Sequence, residues 1–391
     1  MANTTTTPDL GKPQLASHSW LEPIVVVGIM IGSLIINRRK NYSLFNKKHS
    51  VPSILPSNAS SGHYTFLGQN GPYNRNDVLY KSQTVCGITI EERDTSRWEH
   101  HIHSRILQKF PFLVEMFYWA LNYLFYSVTK TVSQKLSPAQ IGVVQVAQDH
   151  ATSILSFEHD TVASWIFPIK EVDFQQFFIQ NHPSILTIFN RLYSLVHIPG
   201  TVLFLSWYYY VAENHASFSV ARRTMTLGNL AAFLIFCVYP CMPPRLLPKS
   251  YGFYDTVRQE HAESIWVGGE SVNQFAAMPS LHFTYAFVIG CTFIYHSGIL
   301  ARLAGKPTKS NFVQFGFLAL AVVYPALVLS VIIATANHYW LDAAVAVVTV
   351  TCCFRFNRLL CLLLPLEFGF CWVLRIAKPV PTTGDRVADT K

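Results

Sequence analysis

The chain has 391 residues, of which 50% are hydrophobic, 14% aromatic and only 13% charged. Soluble domains carry roughly 25% charged residues, and here the apolar residues are gathered into blocks, which argues against a pair of ordinary soluble domains. The net charge of +8 lies in short basic clusters beside those blocks, as in cytoplasmic membrane flanks, and does not mark a nucleic-acid surface.

In chain order, residues 1–19 form an extracytoplasmic tail that opens on a threonine run. A first span follows at about 20–36. It starts late, no basic stretch precedes it, and it ends in Arg38-Arg-Lys40, so it reads as a signal anchor and not a cleaved signal. Glu22 and Pro23 fall in its first turn, where proline is tolerated. Residues 37–109 form a cytoplasmic connection, and the part over 41–105, rich in Ser, Asn, Gly and Pro, reads as loosely structured. Six further spans are predicted at about 110–128, 187–211, 224–240, 279–299, 312–334 and 338–354, since a spanning helix needs roughly 17–25 residues. Residues 139–182 read as amphipathic helices on the outer face, with polar breaks around His159 and Asn181. The apolar run 359–374, interrupted by Pro365 and carrying Glu367, fits either an interfacial helix or an eighth span. The fold class is an all-α polytopic membrane bundle.

Loop charges set the orientation. One side holds Arg38 to Lys40, Lys47 and Lys48, then Arg222 and Arg223, then Arg302, Lys306 and Lys309, then Arg355 and Arg358. On the other side, Arg245, Lys249 and Arg258 in the 241–278 loop are balanced by Asp255, Glu260, Glu263 and Glu270. The positive-inside rule puts the first set in the cytoplasm and the 241–278 loop outside or in a lumen. Of eight cysteines, Cys237, Cys291, Cys352, Cys353 and Cys361 lie in or beside apolar stretches, as small hydrophobes do, so no disulfide framework is expected.

Three segments carry chemistry. Phe275-Ala-Ala-Met-Pro-Ser-Leu-His282 and Asn337-His-Tyr-Trp-Leu-Asp342 each bring a histidine to the mouth of an apolar run on the same membrane face. His338 and Asp342 stand at i and i+4, one above the other on a helix. The carboxylate can therefore fix the imidazole tautomer and leave the second nitrogen as nucleophile or base. An aspartate at a span edge is costly unless paired, which favours function over a mere interfacial cap. His282 follows Pro279 and Ser280, residues suited to a helix start, and alone it would read as an interfacial polar residue. Paired with His338 and Asp342 it reads as general acid–base. Pro243-Pro-Arg-Leu-Leu-Pro248 mounts Arg245 between prolines, a rigid cation for phosphate rather than a snorkelling arginine. Lys249 is a weaker candidate for the same cradle. Two histidines and an aspartate also fit a facial metal triad, but the nearby arginine would repel a cation, so no metal is expected. The cluster His100-His101-Ile-His103 falls on the cytoplasmic side and reads as a solvated juxtamembrane segment.

Over about residues 110–355 these elements resemble the three signature regions of the type 2 phosphatidic acid phosphatase superfamily, above all its inositol phosphorylceramide synthase-like branch. Weaker echoes fall at Asn190, Tyr193 and His197. The resemblance implies a six-helix catalytic core over 110–355, followed by a C-terminal apolar segment and tail over 356–391. It implies that His338 is the nucleophile that becomes phosphorylated, that Asp342 orients it, that His282 protonates the leaving oxygen, and that Arg245 binds phosphate. No cofactor or metal is implied. Two superfamily cations are missing: Val238 stands where a lysine is usual and Ile332 where an arginine is usual. Arg191 is a candidate to supplement the cradle.

The implied function is a lipid phosphotransferase or phosphatase at the lumenal or outer face, in a Golgi or other endomembrane if the cell is eukaryotic. Its substrate would be a lipid phosphate or phosphoinositide, its acceptor a ceramide-like hydroxyl. The alternatives are a phosphohydrolase of phosphatidate or isoprenoid diphosphate, and a catalytically silent lipid-binding membrane protein.

Overall fold

The structure is a computed structural model that describes residues 20–40, 42–45, 81–85, 87–92, 95–136, 140–259, 274–306 and 309–385. The N-terminal tail, most of the 41–80 segment and residues 260–273 of the predicted outer loop lie outside the described residues.

The described chain is mostly helical. It begins with α1 (Leu21–Ile36), then a hairpin of β1 (Lys81–Val85) and β2 (Ile88–Glu92), then α2 (Ile102–Lys109) and α3 (Phe112–Leu136). Next come α4 (Gln140–Asp160), α5 (Glu171–Asn181) and α6 (Pro183–Arg191), a π-helical turn over Leu192–Val196, and α7 (His197–Val211). The chain continues through α8 (His215–Val238), the short α9 (Thr256–Gln259), α10 (Leu281–Ser297), α11 (Ile299–Leu303), α12 (Asn311–Ala334) and α13 (Trp340–Phe356). A 3-10 segment, Asn357–Leu363, leads into α14 (Leu364–Val373).

The hairpin departs from the loose connection expected of residues 41–105. Its strands pair antiparallel from Lys81↔Glu92 to Val85↔Ile88, and the turn contains Gly87 at φ 79°, a left-handed conformation that glycine adopts without steric cost. The strands are short alternations of β-branched and polar residues, easily overlooked in a polar segment.

Each of the seven predicted apolar runs is helical, but they differ in length. Two stretches, Asn311–Ala334 and Trp340–Val373, are long and apolar enough to cross a membrane, and a third is added if the pair Pro183–Leu195 and Ile198–Val211, bent by 62°, counts as one. A bilayer core of about 30 Å needs roughly 20 helical residues. α1 has 16 residues and α10 has 17, and α8 gives part of its length to Arg222, Arg223 and Asn229. Large apolar side chains stand exposed on α1 (Ile24, Val27, Ile31) and on α12 (Phe315, Val322, Val323), as lipid-facing surfaces require.

The chain divides into two compact units, one built from the described parts of 1–30, 121–206 and 224–354, the other from those of 31–120, 207–223 and 355–391. In the first, α10 and α12 pack closely. A Cβ on Gly290 would lie 2.8 Å from the Ala321 carbonyl oxygen and 2.9 Å from Pro325 Cγ, so the two helices approach only where α10 has no side chain. In the second, Ile90 of the hairpin joins Cys361 and Phe368 in an apolar cluster, and Trp98 meets Trp372 edge to face at 6.3 Å. The tail is tied into this unit by Arg39 Nη2 donating to the Val380 carbonyl at 2.8 Å and Thr382 Oγ1 donating to the Asn37 carbonyl at 2.8 Å. There the buried Glu115 pairs with Arg222 at 3.2 Å.

Candidate active site

The three chemistry-bearing segments converge in the first unit, and backbone bonds do most of the joining. Cys241 N–H donates to the Phe275 carbonyl at 2.8 Å, and Ala277 N–H returns to the Cys241 carbonyl at 3.2 Å, a single parallel bridge between the first and second segments. Arg245 N–H donates to the Ala336 carbonyl at 2.9 Å, tying the first segment to the third. Tyr339, fully buried, donates its hydroxyl to the Met242 carbonyl at 2.8 Å. Beneath lies an apolar cluster that includes Ala147, Ala151, Leu246, Phe253 and Met278.

The approach to His338 is a helix stop followed at once by a helix start. α12 ends in a Schellman arrangement: Ala336 N–H donates to the Ile333 carbonyl at 2.9 Å and Asn337 N–H to the Ile332 carbonyl at 3.1 Å. The left-handed position, φ 52°, is held by Ala336, where glycine would be usual, at a cost of about 1–2 kcal/mol. Such strain tends to sit where a site must be held in one geometry.

α13 then starts one residue after Tyr339. Asp342 Oδ2 accepts the Tyr339 N–H at 3.0 Å, the returning half of a capping box. The same oxygen faces His338 Nδ1 at 3.2 Å. A second partner of Nδ1 is closer, the Ala277 carbonyl at 2.8 Å. Because a carbonyl only accepts, it makes Nδ1 the protonated nitrogen and leaves Nε2 with its lone pair. Nε2 has no hydrogen-bond partner among the described residues. Asp342 and His338 thus engage each other and do not converge on an open point, as a facial triad would require.

His282 lies in the first turn of α10, whose start is capped by Ser280 Oγ accepting the Phe283 N–H at 3.3 Å, as the sequence suggested; the preceding Met278–Pro279 bond is cis. The His282 ring stacks on Tyr193 with centroids 4.3 Å apart and stands 6.0 Å from the His338 ring. A cavity of about 50 Å³ adjoins it, lined by Tyr193, Tyr324, Leu327, Val328 and Val331 among others.

Arg245 is also brought to the site. Its Nε donates to Asn337 Oδ1 at 2.9 Å, next in sequence to His338, and its Nη1 donates to Asp255 Oδ2 at 2.7 Å. Asp255 Oδ1 also accepts the Arg258 N–H at 3.1 Å. The guanidinium is therefore oriented on two of its edges. Lys249 and Arg191, the other predicted cradle cations, are exposed. Neither has a side-chain hydrogen bond or ion pair among the described residues. The Asn190 echo accepts from Thr256 Oγ1 at 3.0 Å, and the His197 side chain lies outside what is described.

Sequence reasoning missed two acids. Glu158, near the end of α4, accepts the Leu341 N–H at 2.5 Å; Glu171, opening α5, accepts the Trp340 N–H at 3.2 Å. Both are fully buried. Glu171 also bonds His159 Nε2 at 2.7 Å. Ligand atoms of Glu158, His159 and Glu171 lie within 4.8 Å of one another, a grouping able to hold a metal ion. No sequence signal links these acids to α13: they are 183 and 169 residues away from their partners.

The described residues thus combine apolar helices of membrane-spanning length with a buried His–Asp pair beside a second histidine. A family model described as the PAP2 superfamily matches residues 152–356, over half of the chain, and the chain belongs to that superfamily. This points to phosphatase or phosphotransferase activity on a phosphorylated lipid. Comparison with curated proteins and with solved structures finds no match.

Proposed function

We propose that the protein is an integral membrane lipid phosphotransferase or phosphatase that works through a phosphohistidine at His338. The observation that carries this reading is the His338 ring itself: Nδ1 is fixed by the Ala277 carbonyl and Asp342, and His282 stands 6.0 Å away, ring to ring. That separation brings both imidazoles within reach of one phosphate ester. His338 Nε2 attacks phosphorus as the ester P–O bond breaks, and His282 gives its proton to the departing oxygen. In the second half an acceptor hydroxyl or water forms the new P–O bond, the N–P bond breaks, and His282 takes the acceptor's proton. Asp342 supports the cationic imidazole of the intermediate. Arg245, oriented by Asn337 and Asp255, offers its remaining donors to the phosphoryl oxygens.

The narrow apolar cavity beside His282 supports a substrate that arrives with its hydrocarbon from the bilayer. The seven helical runs and the alternation of basic loops support a seven-span topology with the site on the lumenal or outer face. The likeness to inositol phosphorylceramide synthases supports transfer to a ceramide-like acceptor; hydrolysis of phosphatidate or isoprenoid diphosphate needs only that water take the acceptor's place. The test is turnover by purified full-length protein, in vesicles of phosphatidylinositol, ceramide and phosphatidate, after exhaustive chelation. Phosphate release or transfer that survives chelation is expected. Loss restored by one divalent ion would return the site to metal chemistry.

A further inference from the structure

We propose that Glu158 and Glu171 are positioning residues for His338, their buried carboxyl groups gripping the first turn of α13 by its backbone N–H groups. The proposal rests on the phosphohistidine reading above. A helix start leaves its first N–H groups without intrahelical partners. In α13 these groups are served by acids: Tyr339 by Asp342, Trp340 by Glu171 and Leu341 by Glu158. Asp342 is local, but the other two come from α4 and α5, so the turn that presents His338 and Asp342 is clamped from outside its own helix. The positive end of the helix dipole favours such acceptors. A shift of about 1 Å at a reacting group costs on the order of 100-fold in rate, which gives such a clamp its leverage.

Two ionised carboxylates cannot share a dry pocket cheaply. Glu158 Oε1 needs only to accept the Leu341 N–H, which a carboxyl or a carboxamide oxygen does equally. The titratable groups around it are His159 and Glu171, Asp342, and Cys241 and Tyr339 from the site's other segments. Glutamine can therefore replace Glu158 while keeping both its shape and its acceptor, whereas alanine cannot.

The experiment compares Glu158→Gln, Glu158→Ala, Glu171→Gln and Glu171→Ala in the full chain. Three quantities are read: kcat and KM on a phosphorylated lipid, the rate at which diethylpyrocarbonate modifies His338, and bound metal. Glu158→Gln is expected to keep kcat within about 3-fold. The alanine variants should lose kcat by on the order of 10- to 100-fold with KM nearly unchanged, and His338 modification should change in rate in the same variants. Glu171→Gln keeps the fold-preserving shape should its alanine variant fail to fold, and is expected to fall between. Folded alanine variants with unchanged kcat and unchanged His338 reactivity would overturn the proposal. So would a Glu158→Gln variant as impaired as Glu158→Ala. Stoichiometric divalent metal in the wild type, lost in Glu171→Gln, would replace the clamp with a metal site. The modification rate needs no turnover, so failure of the clamp is separable from failure of the phosphotransferase reading.

Discussion

Both compact units bury carboxylates, and they neutralise them differently. In the second unit, Glu115 on α3 meets the guanidinium of Arg222 at 3.2 Å, and Arg222 also lies 4.4 Å over the Tyr118 ring. In the first unit, Asp342, Glu158 and Glu171 meet backbone N–H groups and imidazoles instead. A guanidinium keeps its charge under ordinary conditions, so Arg222 is a permanent counter-charge for Glu115, with His215 Nε2 4.0 Å from the other carboxyl oxygen. On the proposed mechanism, imidazoles and N–H groups leave the charge of the first unit's cluster free to respond to an arriving phosphoryl group. On that reading, the difference separates a structural ion pair from a reactive one, although both are buried.

The contrast can be broken most severely at the nucleophile. His338→Ala is expected to abolish turnover, and Asp342→Asn to come close, because it keeps the shape but loses the charge that supports the imidazolium. His282→Ala should cost on the order of 100- to 10,000-fold, the usual span of general acid catalysis. Steady-state kinetics on folded protein distinguish the three. If Asp342→Asn were harmless, the Ala277 carbonyl alone would suffice to orient the ring.

A second comparison sets one arginine against the other. Arg245→Lys should lower kcat/KM on the order of 10- to 150-fold, since a charged hydrogen bond contributes about 1.5–3 kcal/mol and a point charge cannot replace a planar fork. Glu115→Gln should do the reverse. It leaves a buried charge without its counter-ion, at a cost of about 3–5 kcal/mol of stability, yet kcat per folded molecule should not move. Thermal unfolding beside kinetics reads both. A catalytic loss in folded Glu115→Gln would erase the distinction between the units.

The smallest effect is in pH. Glu158, pushed by burial from the ordinary carboxyl range up to about 10, binds its proton more tightly folded than unfolded. Its contribution to stability is full at pH below about 4.5 and is lost as pH rises toward 10. Glu158→Gln, which cannot ionise, should therefore gain on the wild type in melting temperature as pH is raised from 6 to 9. Parallel curves for the two proteins would mean that Glu158 is already ionised.

The sequence made the local features of this site readable and hid the distant ones. His338 and Asp342 are one helical turn apart, and Ser280 sits three residues before the N–H it caps; such relations are set by helix geometry alone. The Ala277 carbonyl is invisible in sequence, since every residue has one. Asp255 was legible only as a loop charge, and its bond to Arg245 needs the fold of the 241–259 segment. Ala336 hides a helix stop because it takes the backbone conformation expected of glycine. The apolar runs predicted the helices well, but their length and hydropathy qualify only two or three as spans, since α8 and α10 bear polar residues such as Asn229, Tyr285 and His282.

The central claim is that His338 carries the phosphoryl group. Rapid-quench trapping with a phosphorus-labelled lipid substrate tests it most directly, comparing wild type, His282→Ala and His338→Ala. An acid-labile, base-stable label should appear on the wild-type protein. It should form more slowly in His282→Ala and be absent from His338→Ala. Undiminished label on folded His338→Ala protein would place the nucleophile elsewhere and contradict the account.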